Sequence, residues 1–430
     1  MLANLSRSRV LLLQGPIGPF FSRLSRELRQ GGSEVHKINF NGGDALFFWG
    51  PNVTSFRGDA SEWPGFLCDF MREKRIQVVL LFGDSRPYHR VAVQVARQLG
   101  VEVLVFEEGY LRPNFITLEP GGTNYQSSIR PLAPANINGY KGSWDPERPV
   151  GNAFWPSAIY AILYAWAHRL GGLFFPGYKH HKDLGLRRQA GHWWRGLFRK
   201  LYYAVKERHV LAELARSHSY FLVALQVHDD FQVKNSEFGT VEAFIHRVFE
   251  SFLRCAPDGP LLVFKHHPMD RPHTDYTVLL AELAEHYGLQ DRIRYVHDLP
   301  LPELLKHAEG TVVINSTVGL SSLYHGTPVF CASRSVYDCL AFDDSLDQFW
   351  VAPGTVDRRR VQRFRSWLRD CCQNNGSFYR RLPGISSPTG VVWVHPVLPQ
   401  TGLMPTPTPL PGFVVAEEPD GPESAQPIAL

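Results

Sequence analysis

Pro260-Leu261-Leu262-Val263-Phe264-Lys265-His266-His267-Pro268 is the stretch on which the reading of this 430-residue chain turns. Its first half is a short apolar run of buried-strand type, and it breaks off into a cation, two imidazoles and a proline. About fifty residues on, Val312-Val313-Ile314-Asn315-Ser316-Thr317-Val318-Gly319-Leu320 repeats the design. A second apolar run enters Asn-Ser-Thr and then a helix-compatible segment, Val318 to His325, with Ser316 or Thr317 as the expected N-cap. A helix start offers backbone N–H groups and a positive dipole end, both suited to phosphate. Either piece alone also fits an ordinary strand-to-helix turn or a surface histidine pair. The two in this order and spacing point to one nucleotide-phosphate pocket.

Outward from this pair, strands and helices alternate on both sides. The second domain is expected over 216–375. Phe221 to Leu225 is read as a strand leading into Gln226-Val227-His228-Asp229-Asp230, and Val361 to Cys372 as a closing helix. A first domain is expected over 1–150. Its strands are Val10 to Leu13, Glu34 to Phe40, Val78 to Phe82 and Val101 to Phe106, with irregular chain from Thr117 to Val150. Such alternation argues for parallel sheets, where ligands gather beyond the carboxyl ends of the strands. Gln14, Asp84, His89, Glu107, Glu108 and Arg112 all fall at those ends. The glycines after the first strand do not match the dinucleotide fingerprint, so dinucleotide binding is not expected there. The fold class expected is α/β and GT-B-like, with two Rossmann-like domains facing a central cleft.

Between the domains, 151–215 interleaves Trp, Tyr and Phe with many Arg and Lys. His192 to Tyr203 fits an amphipathic helix that suits anionic lipid headgroups, or an interdomain helix with its aromatics in the core. Residues 395–430 are rich in Pro, Thr and Gly and are expected to be a disordered tail. Hydrophobic content is 44% and charged content 20%, the mix of a globular protein. A net charge of +4 is too mild to argue for nucleic acid. Six scattered cysteines suit a reduced compartment. The N-terminal apolar stretch is too short for a signal peptide, and no membrane span is expected. No cofactor is expected. Neither a metal cluster nor an Asp-x-Asp element at a strand end is found, so metal-independent chemistry is expected; Asp343-Asp344 lies outside any assigned element.

Six motifs carry a resemblance: Leu13-Gln14-Gly15-Pro16, Gly83-Asp84-Ser85-Arg86-Pro87, Glu107-Glu108-Gly109-Tyr110-Leu111-Arg112-Pro113, Leu225-Gln226-Val227-His228-Asp229-Asp230, Lys265-His266-His267-Pro268 and Asn315-Ser316-Thr317-Val318-Gly319. Over about residues 10–375 the chain resembles the KpsS/LipB family of bacterial capsule proteins. The resemblance implies a retaining β-Kdo transferase that uses CMP-Kdo and an anionic glycerophospholipid acceptor, (lyso)phosphatidylglycerol, at the inner face of the cytoplasmic membrane. Other capsule biosynthesis and export proteins are expected partners. It also implies donor contacts from His267-Pro268, Ser316 and Thr317, with Lys265 and Asn315 beside them. Where relatives carry an Asp proposed as nucleophile, this chain has Glu108. Kdo carries its own carboxylate, for which Arg112 and Arg86 are the expected cations, with Gln14 nearby; ion pairs of the two arginines to the acids are the alternative. Asp84, Glu107 or His89 are the expected bases for the acceptor hydroxyl. A non-catalytic polysaccharide-binding or export component, and a nucleotide-sugar epimerase, are the competing functions.

Overall fold

The computed structural model describes residues 5–142, 147–178, 186–217 and 219–394. The expected tail, 395–430, lies outside the described residues, as do Lys179, Lys182 and Asp183; the side chains of Arg187, Arg188, His192 and Trp193 are likewise not described.

Strands and helices alternate through two units. The first holds β1 (Arg9–Leu12), β2 (Glu34–Asn39), β3 (Val53–Ser55), β4 (Val78–Phe82), β5 (Glu102–Glu108) and β6 (Phe115–Pro120). The second holds β7 (Tyr220–Ala224), β8 (Leu261–Lys265), β9 (Ile293–Val296), β10 (Gly310–Val313) and β11 (Val329–Cys331), and β12 (Gln373–Asn375) follows. The seven-stranded sheet runs β12-β6-β5-β4-β1-β2-β3 and the five-stranded sheet β11-β10-β7-β8-β9. Counted within each unit, both place their first five strands in the order 3-2-1-4-5 with parallel pairing. This is the doubly wound Rossmann order, whose direction reverses between the first and fourth strands. The molecule is therefore α/β and GT-B-like, with two Rossmann-like units on either side of a cleft.

Helices cover both faces, so the central strands are apolar on both sides. All but the last residue of β4, Val-Val-Leu-Leu-Phe, is buried. The helix Val241–Cys255 shows how a covering helix is specified. The Thr240 side chain accepts the Ala243 N–H, and Val241, Phe244, Ile245, Val248, Phe249 and Phe252 recur at helical spacing on its buried face. Each such side chain contributes about 1.5–3 kcal/mol by leaving water. Phe249→Ala would cost about 3–5 kcal/mol.

Three strands escaped the sequence. β3 is short and half exposed. β6 lies partly in chain read as irregular and pairs antiparallel with β5, Glu107 opposite Thr117 and Glu108 opposite Ile116. That pairing carries β5 two residues past its expected end at Phe106, so both glutamates are strand residues rather than loop residues. β12 pairs antiparallel with β6, so residues 373–375 join the first sheet, although they were expected to close the second domain. The helix Arg358–Cys372 makes the return. Its Phe364, Trp367 and Leu368 pack with Tyr110, Leu111 and Phe115 of the first unit and with Leu320 and Leu323 of the second, forming one apolar cluster that joins the two.

Candidate active-site cleft

The carboxyl ends of both sheets open on one cavity of about 870 Å³, lined by residues of both units. Each wall is built around the point where strand order reverses.

On the first wall, β4 is followed by Gly83, whose φ of 71° favours glycine, and the chain turns into Asp84-Ser85-Arg86. The Arg86 guanidinium donates to Gln14 Oε1 at 3.0 Å and stands over the Phe82 ring. Gln14 itself is buried. Its Nε2 faces the hydroxyls of Tyr164 at 3.0 Å and Tyr178 at 3.2 Å and the Asp44 carboxylate at 3.2 Å. Expected to touch substrate, Gln14 instead holds the arginine that lines the cleft, because its side chain turns into this buried polar cluster.

His89 is a second correction. It is 1% exposed, its Nδ1 lies 2.7 Å from the Gly83 carbonyl, and burial drives it down to about 3. In the helix Pro87–Gln98 it lies on the buried face with Ala92, Val93 and Ala96, and it does not line the cleft. Asp84 does line the cleft. Its two oxygens, however, accept from Ser85 Oγ at 2.9 Å and the Thr123 N–H at 3.0 Å, and burial raises its pKa.

Glu107 and Glu108 both line the cleft, although neighbours on a strand ordinarily point to opposite faces. Burial raises Glu107 to about 7, with the Glu108 and Asp84 charges adding to the rise. Glu108 is also raised by burial, but the Arg112 charge and a hydrogen bond from the Tyr379 hydroxyl, at 3.2 Å, oppose the shift. The two carboxyls therefore differ in kind: Glu107 is poised to hold a proton near neutrality, and Glu108 has groups that favour its anion. Tyr379 escaped the sequence reading because it follows β12, beyond the expected domain.

On the second wall, Gln226 and Asn315 clasp across the reversal between β7 and β10. Gln226 Nε2 donates to Asn315 Oδ1 at 3.0 Å, and Gln226 Oε1 accepts the Asn315 N–H at 3.1 Å. This sets the turn that starts the helix Val318–His325. Thr317 occupies the N-cap position without a side-chain cap bond; Ser316 Oγ instead accepts the Val318 N–H at 3.2 Å. The Tyr337 hydroxyl donates to the Ser316 carbonyl. Gly319 makes room for that tyrosine, since a Cβ would lie 2.2 Å from its oxygen.

Lys265, His267, Pro268, Asn315, Ser316 and Thr317 all line the cleft. Lys265 is buried, its Nζ donates to the His297 carbonyl at 2.6 Å, and burial lowers it to about 8. His267 is lowered to about 4 by burial, with the Arg112 charge adding to the shift. It is thus neutral at pH 7. The Met269 N–H donates to His267 Nδ1 at 3.2 Å, leaving the Nε2 proton for another acceptor. Because the Arg112 charge is felt at both Glu108 and His267, the two walls lie within electrostatic reach of each other.

Arg271 and His297 line the cleft without having been among the sequence candidates. Arg271 pairs with Asp298 at 2.8 Å. His297 is 1% exposed and neither ring nitrogen has a hydrogen-bond partner; such groups are uncommon unless a ligand or water satisfies them. Neither stands in a recognisable motif. Asp343-Asp344 precedes the helix Leu346–Val351 and does not line the cleft. Among the described residues, no cluster of His, Cys, Asp and Glu is arranged to hold a metal ion, and no helix is long and apolar enough to cross a membrane.

Residues 77–379 match the family described as capsule polysaccharide biosynthesis protein. The capsule polysaccharide export protein KpsS of Escherichia coli is 40% identical over 384 residues, covering 87% of this chain and 98% of that protein. The capsule polysaccharide modification protein LipB of Neisseria meningitidis serogroup B is 35% identical over 389 residues, 88% of this chain and 93% of its own length. Among solved structures, Thermosulfurimonas dismutans KpsC, a β-Kdo 2,7 transferase, aligns over 83% of this chain and 89% of its own at 14% identity, with a TM-score of 0.40. Family match and long-range identity agree, and the chain belongs to the family of capsule polysaccharide biosynthesis proteins.

Proposed function

We propose that this protein is a retaining β-Kdo transferase that moves Kdo from CMP-Kdo to the glycerol hydroxyl of a (lyso)phosphatidylglycerol, starting the poly-Kdo linker of a capsular polysaccharide. The observation that carries this reading is the facing of two unlike walls in one cleft: an acid pair with Arg86 and Arg112 opposite Lys265, His267 and the Ser316 turn. The motif resemblance supplies the sugar and the lipid.

The residues divide the work as follows. Glu108 attacks the anomeric carbon of Kdo while the bond to the CMP oxygen breaks, and CMP leaves with the electron pair as a phosphate monoester. Glu107 then takes the proton of the acceptor hydroxyl as that oxygen displaces Glu108. Two inversions give retention. Arg86 and Arg112 hold the Kdo carboxylate. The leaving phosphate is steadied by the N–H of His267 and the start of the helix Val318–His325, donors aimed in advance at developing charge. No metal is required in this scheme; loss of activity with chelator and recovery with manganese would contradict it.

The site of action is the inner face of the cytoplasmic membrane, with the protein bound peripherally. Support comes from exposed Trp194, Phe198 and Leu201 beside exposed cations on the helix Leu186–Lys206. Sedimentation with anionic vesicles that weakens as salt rises is expected; equal sedimentation with neutral vesicles would remove the electrostatic part.

A second reading, a non-catalytic polysaccharide-binding or export component, draws on the export name of the Escherichia coli relative. Mass spectrometry of the product from CMP-Kdo and a fluorescent lipid acceptor separates the two. A Kdo-lipid adduct, absent for Glu108→Ala, supports the transferase; no adduct, or one that survives that substitution, sinks it.

A further inference from the structure

The helix Leu186–Lys206 carries two faces with opposite surroundings. Trp194, Leu197, Phe198, Leu201, Tyr202 and Val205 recur at spacings of three and four, one stripe at 100° per residue, and all are exposed, Trp194 at 74% and Phe198 at 70%. The opposite face is seated on the second unit. Gly196 packs where a Cβ would lie 2.9 Å from Pro272. Arg199 Nη1 donates to the carbonyls of Arg271 and Thr274 at 2.8 and 2.9 Å and pairs with Asp275 at 3.2 Å. The Tyr203 ring stacks on His297 with centroids 3.6 Å apart. Just past the helix, the Glu207 carboxylate accepts the N–H groups of His297 and Asp298.

Lys200 stands on the seam between these faces. Helical geometry sets it about 60° from Tyr203, on the far side from Arg199. It is exposed and lines the cleft together with His297 and Arg271. A single helix thus borders the cleft with an ammonium group and offers a continuous apolar stripe beside it. The exposed charges of this segment are cationic, Arg195, Lys206 and Arg208, while the neighbouring carboxylate of Glu207 is buried and engaged. Apolar surface flanked by cations suits one occupant, an anionic phospholipid in a leaflet: chains against the stripe, phosphate level with the flanking lysine, polar end free to turn inward.

The geometry points to Lys200 as the residue that holds the phosphodiester of the acceptor lipid at the mouth of the cleft, so that the acceptor is presented without leaving the membrane surface. This rests on the transferase reading for the word acceptor, but the binding site stands on the helix alone. Lys200 is a specificity-determining residue in this scheme: it separates phosphate-bearing from neutral amphiphiles and leaves the sugar nucleotide untouched.

The test is equilibrium binding to the full chain, read without turnover, of two fluorescent lipids with the same acyl chain: lysophosphatidylglycerol and the neutral monoacylglycerol. CMP binding is measured alongside. Lys200→Gln should weaken lysophosphatidylglycerol about ten- to a hundredfold, as loss of a charge-assisted contact does, while the neutral lipid and CMP bind as before. Lys200→Arg should restore most of the loss. Phe198→Ser should weaken both lipids alike. Equal loss for both lipids in Lys200→Gln, loss of CMP affinity, unchanged lipid binding, or no lipid binding by the unaltered protein would each overturn the assignment. Where lipid binds as expected but no Kdo is transferred, the transferase reading fails and the phosphate site survives.

Discussion

Gln14 and Gln226 stand at the same place in their units, just beyond the first strand, and each grips a residue at the exit of the fourth. Gln14 holds the Arg86 guanidinium, and Gln226 clasps both the side chain and the backbone of Asn315. Around Gln14 lie Asp44 and two tyrosine hydroxyls, so the first wall presents a charged arm steadied from within. Around Gln226 the partner is a turn, so the second wall presents a shaped backbone. The titratable groups differ too: on the first wall two carboxyls are crowded together and raised, while the second sets neutral imidazoles and a lysine tied to carbonyls beside Asp229, Asp230 and Asp298. The same topology has yielded a wall suited to covalent and proton chemistry and a wall suited to holding a phosphate.

The comparison is broken most severely at Glu108. Glu108→Gln should lower transfer by about a thousandfold or more with CMP affinity unchanged, as expected for a group that acts as a unit with the chemistry. Steady-state rates beside calorimetric CMP binding check this. Equal loss in both would move Glu108 to the donor side. On the opposite wall, His267→Ala should raise the KM for CMP-Kdo about tenfold to a hundredfold and weaken CMP binding in parallel, the scale of a hydrogen bond to a charged group. A pure kcat effect would reassign it.

The paired glutamines sharpen the contrast. Gln14→Leu should lower kcat about tenfold or more by freeing Arg86, with little change in CMP affinity. Gln226→Leu should act on CMP affinity instead. Each removes partners from buried polar atoms and costs about 1–3 kcal/mol of stability, visible as a lower Tm. Identical kinetic signatures for the two would erase the division of labour.

Glu107 gives the pH test. Its folded pKa of about 7 lies above the unfolded carboxylate value of about 4.3. The folded state therefore binds the proton more tightly, and the stability due to this group, present below pH 4.3, is lost as pH rises through 7. Glu107→Gln imitates the protonated form, so relative to the unaltered protein its Tm should improve from pH 5 to pH 8. Acting as base, Glu107 must be ionised, so kcat/KM should rise through pH 7 and that limb should vanish in the variant. The smallest effect is expected at Tyr379→Phe: a loss of a few-fold, about one neutral hydrogen bond's contribution, with the pH limb retained.

Much of this was legible because local chemistry announces it. The Leu261–Lys265 strand ends where apolar side chains give way to Lys and His, and the helix Val318–His325 was bounded by sequence alone. The roles of Gln14 and His89 were not legible. Both occupy strand ends, where polar residues often meet ligands, but Tyr164 and Tyr178 arrive from more than a hundred residues away to surround Gln14. Tyr379, Arg271 and His297 belong to no short motif: Tyr379 reaches Glu108, and Arg271 and His297 reach the cleft, only when distant segments converge.

By itself, then, the sequence determined the alternation of strand and helix, the two-unit division and the motif pairs at the strand ends, because hydrophobic periodicity and turn chemistry act over a few residues. Only the tertiary structure decided which strand-end groups face the cleft, that Glu107 and Glu108 share it, and how far burial shifts each. Desolvation and charge coupling depend on every neighbour in space, and β6, β12 and the segment after β12 that carries Tyr379 supply those neighbours from remote parts of the chain.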